Sequence, residues 1–158
     1  MLAVGSQAPE IKAVDQHGQP FCLSTQATRL CTVVYFFPKA FTPGCTREAA
    51  AFRDNYNELT LAGASVVGVS TDDADTQCKF ADSLKAQFPM IGDPSGEIAS
   101  AYDVRWPFLG LAQRVTYVLD PACRILKAFH HELFIRKHRD DVLVFVDELY
   151  RARRAPTE

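Results

Sequence analysis

The most apolar stretch of the chain is Thr32-Val33-Val34-Tyr35-Phe36-Phe37, followed at once by Pro38. No polar position interrupts it, so it predicts a strand buried on both faces and stopped by proline. Ser65-Val66-Val67-Gly68-Val69-Ser70 predicts a second buried strand. Between them, over residues 45–61, Ala49, Phe52, Tyr56 and Leu59 fall on one side of a helix, with Gly63 as its stop. Residues 72–88 predict a second amphipathic helix with Cys78, Ala81, Leu84 and Phe88 near one face. A short strand over 90–93 and a short helix over 96–102 follow. Residues 115–120 and 125–129 then read as a hairpin around Pro121-Ala122-Cys123, and roughly 137–153 as a last helix. Ahead of all this, residues 9–24 read as extended pieces around a turn at Gln16-His17-Gly18-Gln19-Pro20.

Strand, helix, strand, helix, then a hairpin and a helix is an α/β pattern. The first strand–helix–strand unit should be parallel and right-handed. A hairpin added to that sheet predicts a thioredoxin-like fold: a central mixed β-sheet with helices on both faces and an N-terminal β-hairpin. No repeat, linker or low-complexity tract divides the 158 residues, so one domain over 1–158 is expected.

Composition narrows the function classes. Hydrophobic residues make up 47% and charged residues 23%, which is globular and not disordered. A net charge of −2 gives no basic footprint for nucleic acid. The run Arg151-Ala152-Arg153-Arg154 reads as a solvated helix end that complements the dipole. No apolar stretch reaches the roughly 20 residues of a membrane helix. Met1-Leu2-Ala3-Val4-Gly5-Ser6 has no basic or apolar signal region, and Glu158 closes no lipidation motif. Five cysteines without framework spacing suit a reducing compartment, so a cytoplasmic location is expected.

One cysteine has a reactive context. Cys45 follows a buried strand and stands at a predicted helix start, behind Thr42-Pro43-Gly44. Ligands of open α/β sheets bind beyond the carboxyl ends of strands. A helix N-terminus supplies free N–H groups and a positive dipole end, both favouring thiolate over thiol. Free cysteines are otherwise usually inert packing residues. His17, His130, His131 and His138 do not combine with cysteines at zinc spacing, so no metal is expected. No phosphate loop or dinucleotide fingerprint is present, so no cofactor is expected either. Asp72 and Asp73 read as helix caps.

Pro38, Thr42 and Cys45, with three and two residues between them, resemble the peroxidatic loop of peroxiredoxins. The longer form, Tyr35-Phe36-Phe37-Pro38-Lys39 through Thr42-Pro43-Gly44-Cys45-Thr46 to Glu48-Ala49, is similar to the peroxiredoxin Q subfamily, also called bacterioferritin comigratory protein. The likeness runs from Gly5-Ser6-Gln7-Ala8-Pro9 to the hairpin at Asp120. It implies a thiol peroxidase with Cys45 as nucleophile. It also implies that the Thr42 hydroxyl, the N–H groups around Gly44 and Cys45, and an arginine stabilise the two peroxide oxygens, while Pro38 shields the sulfur. The arginine is Arg114, two residues before Thr116-Tyr117; Arg47 is the competitor and is expected to pair with Glu48 or a partner surface. Lys39 resembles the subfamily's loop lysine but reads equally well as a solvated cation, and Ala40 departs from the acidic residue often found there.

The resemblance also bears on how the oxidised cysteine is reset. Many subfamily members have a resolving cysteine five residues after the nucleophile; here that position is Ala50. A second pattern uses the next helix and makes Cys78 the candidate, one turn earlier than usual. Cys22 and Cys31 read as core or edge residues, Cys123 as an exposed turn residue, and His130-His131 as surface. The expected partners are a peroxide, and thioredoxin or a similar thiol reductant, with a monomer or small dimer as the assembly. A one-cysteine peroxidase reset by an external thiol stays open. So do a thioredoxin-like disulfide oxidoreductase, which wants a cysteine where Glu48 stands, and a non-enzymatic binding module. Trp106-Pro107-Phe108-Leu109 would line the site, face a partner or join the core.

Overall fold

In the computed structural model, which describes residues 1–26 and 28–154, the chain opens with an antiparallel hairpin of β1 (Lys12–Val14) and β2 (Pro20–Cys22). Glu158 lies outside the described residues. The central sheet starts with β3 (Cys31–Phe36), all six of whose residues are buried, as the unbroken apolar run requires. β4 (Ala64–Ser70) lies parallel to β3, and β5 (Met90–Gly92) parallel to β4. β6 (Val115–Leu119) returns antiparallel on the other side of β3, and β7 (Ile125–His130) pairs antiparallel with β6. The spatial order is β5-β4-β3-β6-β7.

Helices α1 (Pro43–Asp54) and α2 (Tyr56–Ala62) join β3 to β4, and α3 (Ala74–Leu84) joins β4 to β5. Both crossovers step the same way across the sheet, so right-handed connection puts their helices on one face. There Ala49, Phe52, Leu59, Phe80 and Leu84 pack on Val33, Tyr35 and Phe37. The C-terminal helix α5 (Ile135–Arg154) adds Val142 and Val146 to the same layer. The opposite face is covered by α4 (Glu97–Ala101), the following Tyr102 and Val104, and the N-terminal residues Ile11, Phe21 and Leu23.

Several boundaries differ from the sequence expectation. The predicted helix over 45–61 is broken at Asn55, whose backbone N–H and side-chain Nδ2 both donate to the Ala51 carbonyl (3.1 and 2.8 Å). A side-chain amide that competes for a helix carbonyl ends the regular ladder. The predicted 72–88 helix is shorter because Lys85, at φ 52°, closes it in the left-handed region. Cys123 occupies a left-handed turn position (φ 63°) but is half-buried against the second core layer, not exposed, and burial raises its thiol pKa. Cys31 is wholly buried, and burial pushes its thiol up to about 12. Phe108 and Leu109 project from a loop, so that stretch is not core. No helix among the described residues is long and apolar enough to cross a membrane.

Candidate active site

Antiparallel pairing of β6 with β3 (Tyr35 opposite Thr116) sets the start of β6 beside the end of β3. Arg114, just before β6, therefore arrives at the same end of the sheet as Cys45, which follows β3 through the loop over 37–42. Arg114 Nη2 donates to Cys45 Sγ at 3.4 Å. Both residues are buried, Cys45 at 1% and Arg114 at 5% exposure.

Cys45 is the third residue of α1, with Thr42 as N-cap and Pro43 in the first turn. The first backbone bond of the helix runs from Thr46 N–H to the Thr42 carbonyl (2.9 Å). The Gly44 and Cys45 N–H groups precede it and have no carbonyl four residues back to serve. They supply the positive helix end beside the sulfur. Gly44 is needed for close approach: a Cβ there would stand 2.5 Å from Ile135 Cδ1 and 3.2 Å from Arg114 Nη2.

The other end of the arginine is held by Glu48, whose Oε1 accepts from Arg114 Nη1 at 2.9 Å. Glu48 is fully buried. It lies on the stripe Cys45, Glu48, Ala49, Phe52 that α1 turns inward, where an apolar residue is the norm. Burial pushes its carboxyl up to about 7; Arg114 opposes that rise and Glu132 adds to it. For Arg114, burial works against the charge, but Glu48 and Cys45 overcome it and raise the guanidinium pKa. The arginine is thus a fixed positive charge facing the sulfur. Arg47, the competing arginine, points into solvent and does not pair with Glu48, because neighbours on a helix lie about 100° apart.

The loop on the other flank is pinned at a few points. Pro38 is half-buried behind β3. The Ala40 N–H donates to Asp72 Oδ2 at 2.7 Å, and the same oxygen accepts from Ser70 Oγ at 2.7 Å. Asp72 therefore ties the ends of β3 and β4 together, and Asp73 alone caps α3 through Thr76 N–H (2.8 Å). Phe41 is held at φ 66° with its ring half-exposed, edge-on to Phe80 of α3 at 5.2 Å. The Thr42 hydroxyl donates to the Lys39 carbonyl at 2.7 Å, so it braces the loop. Cys78 stands half-buried on α3, beside the inward stripe Gln77, Phe80, Ala81 and Leu84. Its thiol is free, as are those of the other four cysteines.

A further set of buried polar groups lies behind Arg114. His138 of α5 is fully buried, with Nε2 2.6 Å from Thr116 Oγ1 and 3.5 Å from Glu48 Oε2. His131, expected at the surface, is half-buried with Nδ1 3.1 Å from His138 Nδ1. The sequence signal for His138 was its place on the stripe of Val142 and Val146, one polar residue on an otherwise apolar helix face.

The AhpC/TSA family profile matches residues 4–128. This chain belongs to that family. It is a peroxiredoxin of the Q type and a thiol-dependent peroxidase. The chloroplastic peroxiredoxin Q of Sedum lineare is 36% identical over 146 residues, covering 92% of this chain and 78% of the relative. The peroxidoxin BcpB of Mycobacterium tuberculosis superposes with a TM-score of 0.86 at 33% identity, over 94% of this chain and 98% of that one. The bacterioferritin comigratory protein of Xanthomonas campestris, whose structures address alkyl peroxide reduction, superposes with a TM-score of 0.79 at 27% identity, over 89% and 92%. In a peroxiredoxin the substrate is a peroxide and the reductant a thiol. A cysteine only 1% exposed is reached more readily by a peroxide than by a protein disulfide, which weighs against the disulfide-oxidoreductase reading.

Proposed function

We propose that this peroxiredoxin reduces hydrogen peroxide and organic hydroperoxides at Cys45, that Cys78 resolves the oxidised sulfur, and that thioredoxin or a similar dithiol reductant closes the cycle. The observation that carries the reading is the Arg114 guanidinium 3.4 Å from Cys45 Sγ at the open N-terminus of α1. The Cys45 thiolate attacks one peroxide oxygen, an S–O bond forms and the O–O bond breaks. The electron pair leaves on the second oxygen, which takes a proton to become water or an alcohol. Arg114, the Gly44 and Cys45 N–H groups and the Thr42 hydroxyl stabilise that growing charge, and Pro38 shelters the sulfur. The Cys78 thiol then attacks the sulfenic acid, water leaves and a Cys45–Cys78 disulfide forms. The external dithiol restores both thiols.

Resolution joins cysteines on two different helices, and a disulfide requires their Cα atoms within about 7 Å. The contact of Phe41 on Phe80 supports the pairing, since it joins the nucleophile's loop to the helix of Cys78. We further read residues 1–158 as one domain, acting in the cytoplasm as a monomer or small dimer. Mass spectrometry after limiting peroxide tests the cycle. The wild type should yield a Cys45–Cys78 peptide pair that thioredoxin reduces. Cys45→Ser should have no peroxidase activity, and substantial turnover in it would overturn the assignment. Cys78→Ser should accumulate sulfenic or sulfinic acid at Cys45 and lose thioredoxin-dependent turnover; normal turnover with no such pair would mean the one-cysteine route.

A further inference from the structure

His138 has no role in the cycle as described, yet it occupies a costly position. An imidazole on a buried helix face must satisfy two ring nitrogens, where an aromatic hydrocarbon would need nothing. Nδ1 meets His131 Nδ1 at 3.1 Å, while Nε2 meets Thr116 Oγ1 at 2.6 Å and Glu48 Oε2 at 3.5 Å. Glu48 Oε2 is fully buried and accepts no hydrogen bond. The orphaned Glu48 oxygen beside Nε2 favours one tautomer. If Nε2 were bare, its lone pair would face an anionic oxygen that has no donor. With the proton on Nε2, the N–H serves Thr116 and faces Glu48, and Nδ1 accepts from His131 N–H. The His138 contacts to Thr116, Glu48 and His131 Nδ1 then each set a donor against an acceptor, while His131 Nε2 lies 3.7 Å from Asp141 Oδ2.

We propose that His138 is a positioning residue for peroxide reduction: its Nε2–H, shared with Thr116, keeps Glu48 ionised and aimed at Arg114, and so fixes the guanidinium over Cys45. The proposal rests on Cys45 being the nucleophile. The charges around this group agree with it. Burial holds His138 neutral, pushing its pKa down to about 3, with His131, Arg114 and His130 acting in the same direction and Asp141 opposing. A neutral imidazole can donate without adding a second cation beside Arg114. Burial and Glu132 favour the protonated form of Glu48, and Arg114 opposes them. A carboxyl poised near neutrality is one whose ionisation a second donor can decide.

The test is single-turnover reduction of hydrogen peroxide from about pH 5 to about pH 9, with Cys45 oxidation read by mass spectrometry. At neutral pH His138→Phe should slow the reaction about 10- to 100-fold, the scale for groups that orient a reacting partner. Its acid limb should move up by about one unit or more, because the polar N–H that faces the Glu48 carboxylate is lost. His138→Gln can place an amide N–H where the imidazole Nε2 stands, and should stay within about threefold of wild type. His138→Asn carries its donor nearer the Nδ1 position and should behave like the phenylalanine variant. A His138→Phe protein with the wild-type rate and profile overturns the proposal. So does a His138→Gln protein as slow as His138→Asn, a comparison that stands even if the phenylalanine variant does not fold. A wild-type protein whose Cys45 stays reduced under peroxide overturns the nucleophile assignment and this proposal with it, whereas the variant results overturn the role of His138 alone.

Discussion

The two flanks of Cys45 are built differently. On one side Arg114, Glu48, Thr116 and His138 are all within 5% of complete burial and hold one another at 2.6 to 3.5 Å. On the other side the loop over 38–42 is partly exposed and is held by Asp72 on the Ala40 N–H, the Thr42 hydroxyl on Lys39, Thr46 on the Thr42 carbonyl, the buried Ala40 and the ring contact of Phe41 on Phe80. Peroxide reduction needs charge fixed in advance, and buried groups that satisfy one another supply it without reorganisation. In the proposed cycle, resolution by Cys78 needs Cys45 to leave its pocket, and segments with few buried contacts open at low cost. On that proposal the site keeps its electrostatics on the stiff flank and its motion on the loose one.

Breaking the stiff flank should have the largest effect. Arg114→Ala removes the cation over the sulfur, and the second-order rate with hydrogen peroxide should fall about 10²- to 10³-fold in stopped-flow assays. It also strands Glu48, so chemical denaturation should show a loss of about 3 kcal/mol. A near-wild-type rate would move the catalytic role to Arg47.

A smaller break comes from Gly44→Ala. The added methyl meets the flexible end of Ile135, which can give, and Arg114 Nη2, whose position matters. The peroxide rate should drop about 10-fold, as expected for small misplacement of a reacting group. Stability should change by less than about 1 kcal/mol, because alanine favours the helix. A larger stability loss than rate loss would show that packing, not the arginine, depends on Gly44.

Loosening the other flank should do the reverse. Phe41→Ala removes an edge-on aromatic contact worth about 1 kcal/mol. Quenched-flow mass spectrometry should show Cys45–Cys78 disulfide formation speeding up a few-fold, with the initial oxidation of Cys45 unchanged. A slower first step would mean that the loop also shapes the peroxide site.

The smallest effect concerns pH and belongs to the stiff flank alone. His138 is depressed from its ordinary 6.5 to about 3. Its contribution to stability is complete above pH 6.5 and is lost as pH falls towards 3. Glu48 is raised from 4.5 to about 7 and works the other way: its contribution is complete below pH 4.5 and is lost as pH rises through 7. Thermal unfolding of His138→Gln should therefore decline less than wild type between pH 6.5 and pH 3. Equal slopes would mean that the imidazole is not held neutral.

Much of this was legible in the chain. The unbroken run from Thr32 to Phe37 demanded a strand covered on both faces, and the proline behind it demanded a stop, so Cys45 had to lie near the carboxyl end of a sheet. The spacing of Pro38, Thr42 and Cys45 carried the family, because it is local backbone geometry written as residue types. Helix boundaries were less legible, since the Asn55 break depends on which acceptor its amide finds. The partners of Glu48, Asp72, Thr116 and His138 were not legible. Local sequence pairs Glu48 with Arg47 or leaves it unassigned, makes Asp72 a helix cap, and shows His138 only as a residue outside zinc spacing.

The sequence by itself determined where apolar surface had to be hidden and which cysteine stood at a helix start, because both follow from periodicity and neighbours a few positions away. Only the tertiary structure decided what meets what across the sheet. Arg114 lies 69 residues from Cys45 and 66 from Glu48, and Thr116 lies 22 from His138. Those encounters are set by strand order and by the antiparallel return of β6 beside β3. A buried charge is tolerable only when its partner arrives, and no local pattern specifies a partner so distant along the chain.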